Sequence, residues 1–191
     1  PLLEDVYSFE DAILVGLMLI TLMQHYDRVK MACMAQLVNV IAPIMTEENG
    51  PAWRQTIFYP FCQVSRLGRG ISLHCSISCD VHETKTHGAV PDIDMAAVLN
   101  EEKKEVVLFA VNRILHQTVN VTADLRSFGM NSTLSACTQM AGFAADAVNG
   151  PGNEIVKPAP AAHVCLENGM LTAQLPPMSW SVYRVKIMPS E

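Results

Sequence analysis

Charged side chains are scarce in this chain. Asp, Glu, Lys and Arg make up 17% of its 191 residues, and the 13 basic residues are outnumbered by 19 acidic ones, a net charge of −6. There is no basic run and no Lys/Arg stripe, so the phosphate neutralisation that dominates nucleic-acid binding has no footing, and no nucleic-acid partner is expected. Long hydrophobic runs are also missing. The apolar run Ala12 to Met23 falls short of the roughly 20 residues that a membrane-spanning helix needs. It predicts a buried helix and no membrane role. No Gly-x-Ser-x-Gly elbow and no glycine-rich phosphate loop occur. Residue 1 is Pro, and no basic segment with a cleavage site follows it. Six cysteines, at 33, 62, 75, 79, 137 and 165, are too sparse for a disulfide framework, and several sit in apolar runs where a thiol acts as a small hydrophobe. They point to a reducing compartment, and a cytoplasmic location is expected.

Half of the residues are hydrophobic, enough for one domain with a real core or for a piece of something larger. The two parts of the chain follow different patterns. Residues 1 to about 70 read as helical. Ser8 precedes Phe9, Glu10 and Asp11, which places a cap and two acidic residues where the helix dipole favours them. The helix should run to about His25 and, being apolar nearly all round, needs cover on most sides. Val29 to Val38 is short and apolar, and its period alone does not separate helix from strand. The Glu47-Glu48-Asn49-Gly50-Pro51 cluster marks a loop, and a second helix is expected from about Trp53 to Leu67, ended by Gly68 and Gly70.

From Ile71 the period changes to two. Ile71, Leu73, Cys75, Ile77, Cys79 and Val81 alternate with polar residues, predicting one half-buried strand. Ala96 to Leu99 and Glu105 to Asn112 flank a polar turn and predict a hairpin. Thr118 to Leu125, Met170 to Gln174 and Ser179 to Ile187 complete at least six strands, while residues 141 to 163, rich in Ala, Gly, Pro and Asn, predict a long loop. The second part is therefore a sandwich or barrel. The first part has the order of elements found at the end of a (β/α)8 barrel. In that arrangement Val29 to Val38 is the last barrel strand and 39 to 54 the loop after it, where such barrels carry their active sites. One strand makes no barrel, so the helical part is expected to have partners outside this chain.

Few residue groups suggest chemistry. His74, Cys75, Cys79, His82 and His87 resemble a zinc spacing, but alternation along a strand turns the histidines away from the cysteines, and no metal site is expected. The pairs Glu4/Asp5, Glu10/Asp11 and Glu47/Glu48 are sequence neighbours whose side chains diverge; none is assigned as a catalytic carboxylate pair. The stretch Ala52 to Pro60, AWRQTIFYP, is different. Trp53 can pack, Arg54 extend along the surface and Gln55 cap, with no further role. Alternatively Trp53 offers a face to a sugar ring and Gln55 an amide that both donates to and accepts from hydroxyls.

The run from Glu10 to Phe61, EDAILVGLMLITLMQHYDRVKMACMAQLVNVIAPIMTEENGPAWRQTIFYPF, resembles the end of the catalytic barrel in α-L-arabinofuranosidases of glycoside hydrolase family 51. Leu175 to Val185, LPPMSWSVYRV, resembles the last strand of that family's C-terminal β-sandwich. The resemblance implies an α/β segment, the last strand and helices of a (β/α)8 barrel over residues 1–70, followed by an antiparallel, jelly-roll-like β-sandwich over 71–191. It implies a retaining, exo-acting hydrolase that removes terminal α-L-arabinofuranosyl groups from arabinan and arabinoxylan oligosaccharides. Both catalytic glutamates are expected upstream, leaving this segment inactive alone. The resemblance further implies that Gln55, the glutamine of the family's WRQ motif, contributes to the arabinose pocket, with Trp53 and Arg54 as wall or supporting residues. No metal or organic cofactor is implied, and the family's members resemble intracellular homo-oligomers. The competing expectation is a non-catalytic β-sandwich module that binds carbohydrate or mediates oligomerisation.

Overall fold

The computed structural model describes residues 4–188. Helix α1 spans Phe9–Gln24 and starts at a capping box: the Ser8 hydroxyl accepts from the Asp11 amide, and the Asp11 carboxylate accepts from the Ser8 amide at 2.7 Å. Its buried residues Phe9, Ala12, Ile13, Gly16, Leu19 and Ile20 follow the helical repeat and form one stripe. Leu14 and Met18, on the opposite side, are exposed. The cover expected on most sides of this helix is present on one.

Residues 29–37 carry no regular structure, so the expected barrel strand does not form. No neighbouring strand pairs with them among the described residues, and a parallel strand holds its shape only with ladder partners. Positive φ at Gln36, Asn39 and Val40 turns the chain instead. It then forms a small hairpin of β1, Ile44–Thr46, and β2, Ala52–Arg54, with Met45 opposite Trp53. The second helix, α2, is Phe58–Leu67; Trp53 to Gln55 precede it rather than opening it.

Strand β3 is only Ile71–Leu73. The alternating pattern continues to Val81, but residues 74–80 form no ladder, and β4, Val81–Thr84, pairs instead with β5, Gly88–Pro91. The expected hairpin is present as β6, Ile93–Asn100, and β7, Glu105–Asn112. There follow β8, Val119–Asp124; β9, Thr133–Met140; β10, Ala159–Pro160; β11, Val164–Glu167; β12, Met170–Leu175; and β13, Ser179–Lys186. The main sheet has the order β10-β9-β13-β7-β6-β3, and a second sheet the order β11-β12-β8, with every recorded pair antiparallel. The fold is mostly β, with two α-helices among the described residues.

All eight residues of β7 are buried, because the main sheet is covered on both faces. Val107, Phe109 and Val111 join Phe9, Ala12, Ile13, Ile20, Tyr59 and Trp180 in one apolar cluster. Val106, Leu108 and Ala110 join Leu171, Ala173, Leu175 and Tyr183 in another, against the second sheet. The molecule is thus layered as helices, main sheet and second sheet. Gly16 sets the spacing of the first two layers: a Cβ there would lie 2.6 Å from the Trp180 ring. Gln63 of α2 accepts from the Trp180 indole at 2.7 Å. Gly70, at φ 140°, lies at the passage from α2 into β3 in a conformation that favours glycine.

Candidate functional site

The hairpin β1–β2 is closed by a polar turn in which Glu47 N–H donates to Pro51 O and Gly50 N–H to Glu47 O, both at 3.0 Å. It presents Trp53, which is half-buried. The next two residues are held from different sides. Gln55 is 2% exposed, and its side-chain amide bonds to main chain only. Nε2 donates to Ala42 O at 2.9 Å and Asp5 O at 3.1 Å, and Oε1 accepts from Tyr7 N–H at 3.0 Å. Both Nε2 hydrogens are used, and one acceptor position remains on Oε1. The Gln55 amide therefore joins the segment before α1 to the loop before β1. Thr56 reinforces the joint through its hydroxyl, which donates to Tyr7 O at 3.1 Å.

Arg54 faces the long loop of the sandwich. Its guanidinium meets the Glu154 carboxylate at 2.7 and 2.8 Å, and its backbone N–H donates to the same carboxylate at 3.0 Å. The Tyr59 hydroxyl donates to Glu154 at 3.1 Å, and the guanidinium lies 5.8 Å from the ring centres of Phe58 and Tyr59. Asn149, buried in that loop, donates to Arg54 O at 3.1 Å and to Val156 O at 2.9 Å, and accepts from Val156 N–H. Burial works to raise the Glu154 pKa, but the hydrogen bonds from Arg54 and Tyr59 outweigh it, and the carboxyl titrates below its ordinary value. Burial, then the charge of Glu154, pushes the Tyr59 hydroxyl up to about 12, so it is a donor at neutral pH.

The structure therefore brings Trp53, Arg54 and Gln55 to one end of the helical layer, together with Tyr59, Asn149 and Glu154. Tyr59 lies in the stretch singled out in the sequence, whereas Asn149 and Glu154 carried no signal that set them apart. Of the acidic pairs named in the sequence, Asp5 meets the site through its main-chain oxygen, which accepts from Gln55 at 3.1 Å. Asp11 belongs to the cap of α1, and Glu47 and Glu48 lie in the exposed hairpin turn. The zinc-like residues are dispersed by the break at 74–80. His82 Nδ1 lies 2.8 Å from Asp92, and Cys75 and Cys79 pack against the cluster between the sheets. Among the described residues no group of three His, Cys, Asp or Glu side chains converges as a metal site would require. A cavity of about 790 Å³ opens between residues 73–80, the β6–β7 hairpin and β8; none of its lining residues belongs to the β1–β2 hairpin.

This architecture is that of the C-terminal region of glycoside hydrolases. Over 96% of its length the chain superimposes on a family 51 α-L-arabinofuranosidase from Bifidobacterium longum with a TM-score of 0.89 and 40% identity, covering 36% of that chain. It shares its fold with the family 51 arabinofuranosidase of Xanthomonas axonopodis pv. citri, at TM-score 0.84 and 19% identity over 96% of this chain and 36% of that one. The chain belongs to the family of α-L-arabinofuranosidase C-terminal domains, whose model matches residues 1–179. It is 49% identical over 97% of its length to an intracellular exo-α-(1→5)-L-arabinofuranosidase of Acetivibrio thermocellus, and 48% identical over 97% to one of Halalkalibacterium halodurans. It spans 37% of the length of each.

Proposed function

We propose that this chain is the C-terminal part of an intracellular, exo-acting α-L-arabinofuranosidase. The enzyme releases terminal α-L-arabinofuranosyl residues from arabinan-type oligosaccharides, with α-(1→5) links as the leading substrate class. The observation that carries this reading is the 49% identity, along 97% of this chain, to an enzyme that bears that name. Residues 1–70 are then the end of the catalytic barrel, and the apolar face of α1 around Leu14 and Met18 meets the rest of that barrel. Residues 71–191 are the accessory sandwich. The reaction is retaining, and its two carboxylates, a nucleophile and an acid/base, are supplied by chain outside this one. The assembled enzyme is a homo-oligomer and uses no metal or organic cofactor.

In this reading the Trp53 ring lines the sugar pocket. Gln55, closed off in this chain, keeps one acceptor position on Oε1, and it reaches a sugar hydroxyl where the pocket of the assembled enzyme opens onto that position. Its two donated bonds fix the loop that carries the wall. The test is hydrolysis of 4-nitrophenyl α-L-arabinofuranoside and of α-(1→5)-arabinobiose by the full-length enzyme and by this chain alone. Turnover is expected from the first and none from the second. A full-length enzyme inert on both substrates overturns the activity, and turnover by this chain alone overturns the placing of the carboxylates outside it. The second reading, a non-catalytic module that binds carbohydrate or mediates oligomerisation, draws on the β-sandwich, and the exposed Leu14 and Met18 of α1 count against it. It predicts arabino-oligosaccharide binding by this chain alone in calorimetry; titrations without heat remove it.

A further inference from the structure

We propose that the sandwich loop 148–156 is a clamp that positions the sugar-site hairpin, with Glu154 and Asn149 as its positioning residues; this rests on the reading of Trp53 and Gln55 as pocket residues. Both polar groups of the Arg54 peptide are taken by side chains of this one loop, about a hundred residues away in sequence. Glu154 accepts from Arg54 N–H at 3.0 Å, and Asn149 donates to Arg54 O at 3.1 Å. These groups are free for the clamp because of the hairpin's register. Ile44 stands opposite Arg54, and the neighbouring Gln55 N–H bonds back to Pro43 O at 2.8 Å. Alternation along an antiparallel ladder then points the Arg54 peptide groups away from β1.

The clamp is itself braced. Asn149 closes its own loop through Val156 N–H and O at 2.9 Å each, and Val156 lies in the apolar cluster under α1. Upstream, the loop joins the start of α1: Phe9 N–H donates to Ala147 O at 2.8 Å and Glu10 N–H to Ala145 O at 3.0 Å, and the Phe9 and Phe143 rings meet edge to face. Glu154 adds a forked, charge-assisted contact to the Arg54 guanidinium and accepts from Tyr59 of α2. With the Arg54 peptide held at both ends, the residue before it, Trp53, and the residue after it, Gln55, inherit fixed directions. A small displacement of such groups is costly, because a shift of about 1 Å at a binding wall can lower the rate by up to about a hundredfold. The sandwich thereby acts on the sugar site without touching sugar.

The test uses the full-length enzyme with Glu154→Ala and Glu154→Gln, read by steady-state kinetics on 4-nitrophenyl α-L-arabinofuranoside and by hydrogen exchange of peptides covering residues 52–57. In Glu154→Ala, kcat/KM is expected to fall about tenfold, mainly through a higher KM, and the exchange of the Arg54 amide to rise. Glu154→Gln keeps an acceptor for the Arg54 N–H and should recover most of the KM. Kinetic constants within twofold of the parent in Glu154→Ala, whatever its melting temperature, overturn the proposal. If Glu154→Ala does not fold, Glu154→Asp decides, because a carboxylate one methylene shorter cannot reach both the Arg54 N–H and its guanidinium: an unchanged KM together with unchanged exchange overturns the proposal. A parent enzyme inert on arabinofuranosides sinks the functional reading instead, while the exchange comparison still reports on the clamp.

Discussion

Strand β7 of the sandwich and the helix and loop before residue 40 bury their apolar side chains to very different degrees. In the sandwich, β7 is buried along its whole length, and Val106, Phe109, Ala110 and Val111 have no exposure at all. In the segment before residue 70, Met31 is 83% and Leu37 70% exposed, with Val6, Leu14 and Met18 also open. A pleated sheet covered by helices on one face and a second sheet on the other needs nothing further. The α1 helix has a partner for one stripe only, and the loop after it has none among the described residues. Similar apolar content thus gives a closed core in one region and an open apolar surface in the other, and what differs is the number of layers available to cover it.

The comparison can be broken most severely where the regions meet. Trp180→Ala removes the ring on which α1 rests and should cost about 3–5 kcal/mol. Urea unfolding followed by far-UV circular dichroism should show helix and sheet signals lost together; separate transitions would mean that the layers do not share a core. Next is Glu105, 2% exposed overall and paired with the half-buried Arg184 at 3.0 Å. Glu105→Ala leaves that guanidinium without its buried partner. The loss should be about 2 kcal/mol, below the full value for a buried pair because Arg184 reaches solvent. Thermal denaturation would register it.

Gly16→Val forces a branched side chain against Trp180 and should cost about 1–3 kcal/mol, visible as a lowered urea midpoint. On the open surface the expectation reverses. The double substitution Leu14→Glu and Met18→Glu should change stability by no more than about 0.5 kcal/mol; this chain alone is expected to self-associate through that apolar face, and the variant to be monomeric in light scattering. Association that persists would place the sticky surface elsewhere. Smallest is the pH effect. The Glu154 carboxyl titrates below its ordinary value, so its contribution to stability is full above that value and is lost as pH falls through the lower folded one. The melting temperature of Glu154→Gln should therefore approach that of the parent in acid and lie below it at neutral pH.

Local signals made α1 legible almost to the residue, because Ser8 and Asp11 form a cap through bonds within four residues. The β6–β7 hairpin was legible for the same reason, with its polar turn between two apolar runs. The break after Leu73 was not. Its alternating pattern continues unbroken, but the small side chains Ser76, Ser78 and Cys79 gain little from a sheet, and the pairing with β6 stops after three residues. The start of α2 lies later than its pattern predicts because Asn49, Gly50 and Pro51 form a hairpin turn that draws Trp53 and Arg54 into a strand. Of the site, Trp53, Arg54 and Gln55 could be picked out as a group. Asn149 and Glu154 could not, because an unpatterned loop gives no sign of which distant peptide it will hold.

The position of β13 has a consequence for the order in which the molecule can be made. This strand follows all its sheet partners in sequence, yet it lies in the interior of the main sheet, between β7 and β9. Until residues 179–186 have left the ribosome, the β6–β7 hairpin and β9 face an empty slot, each with an unpaired edge. The sheet then closes by insertion of a late strand whose pairings with β7 run from Ser179 opposite Asn112 to Lys186 opposite Glu105, all distant in sequence, a slow kind of search. The nascent chain thus carries two unpaired edges until residues 179–186 emerge.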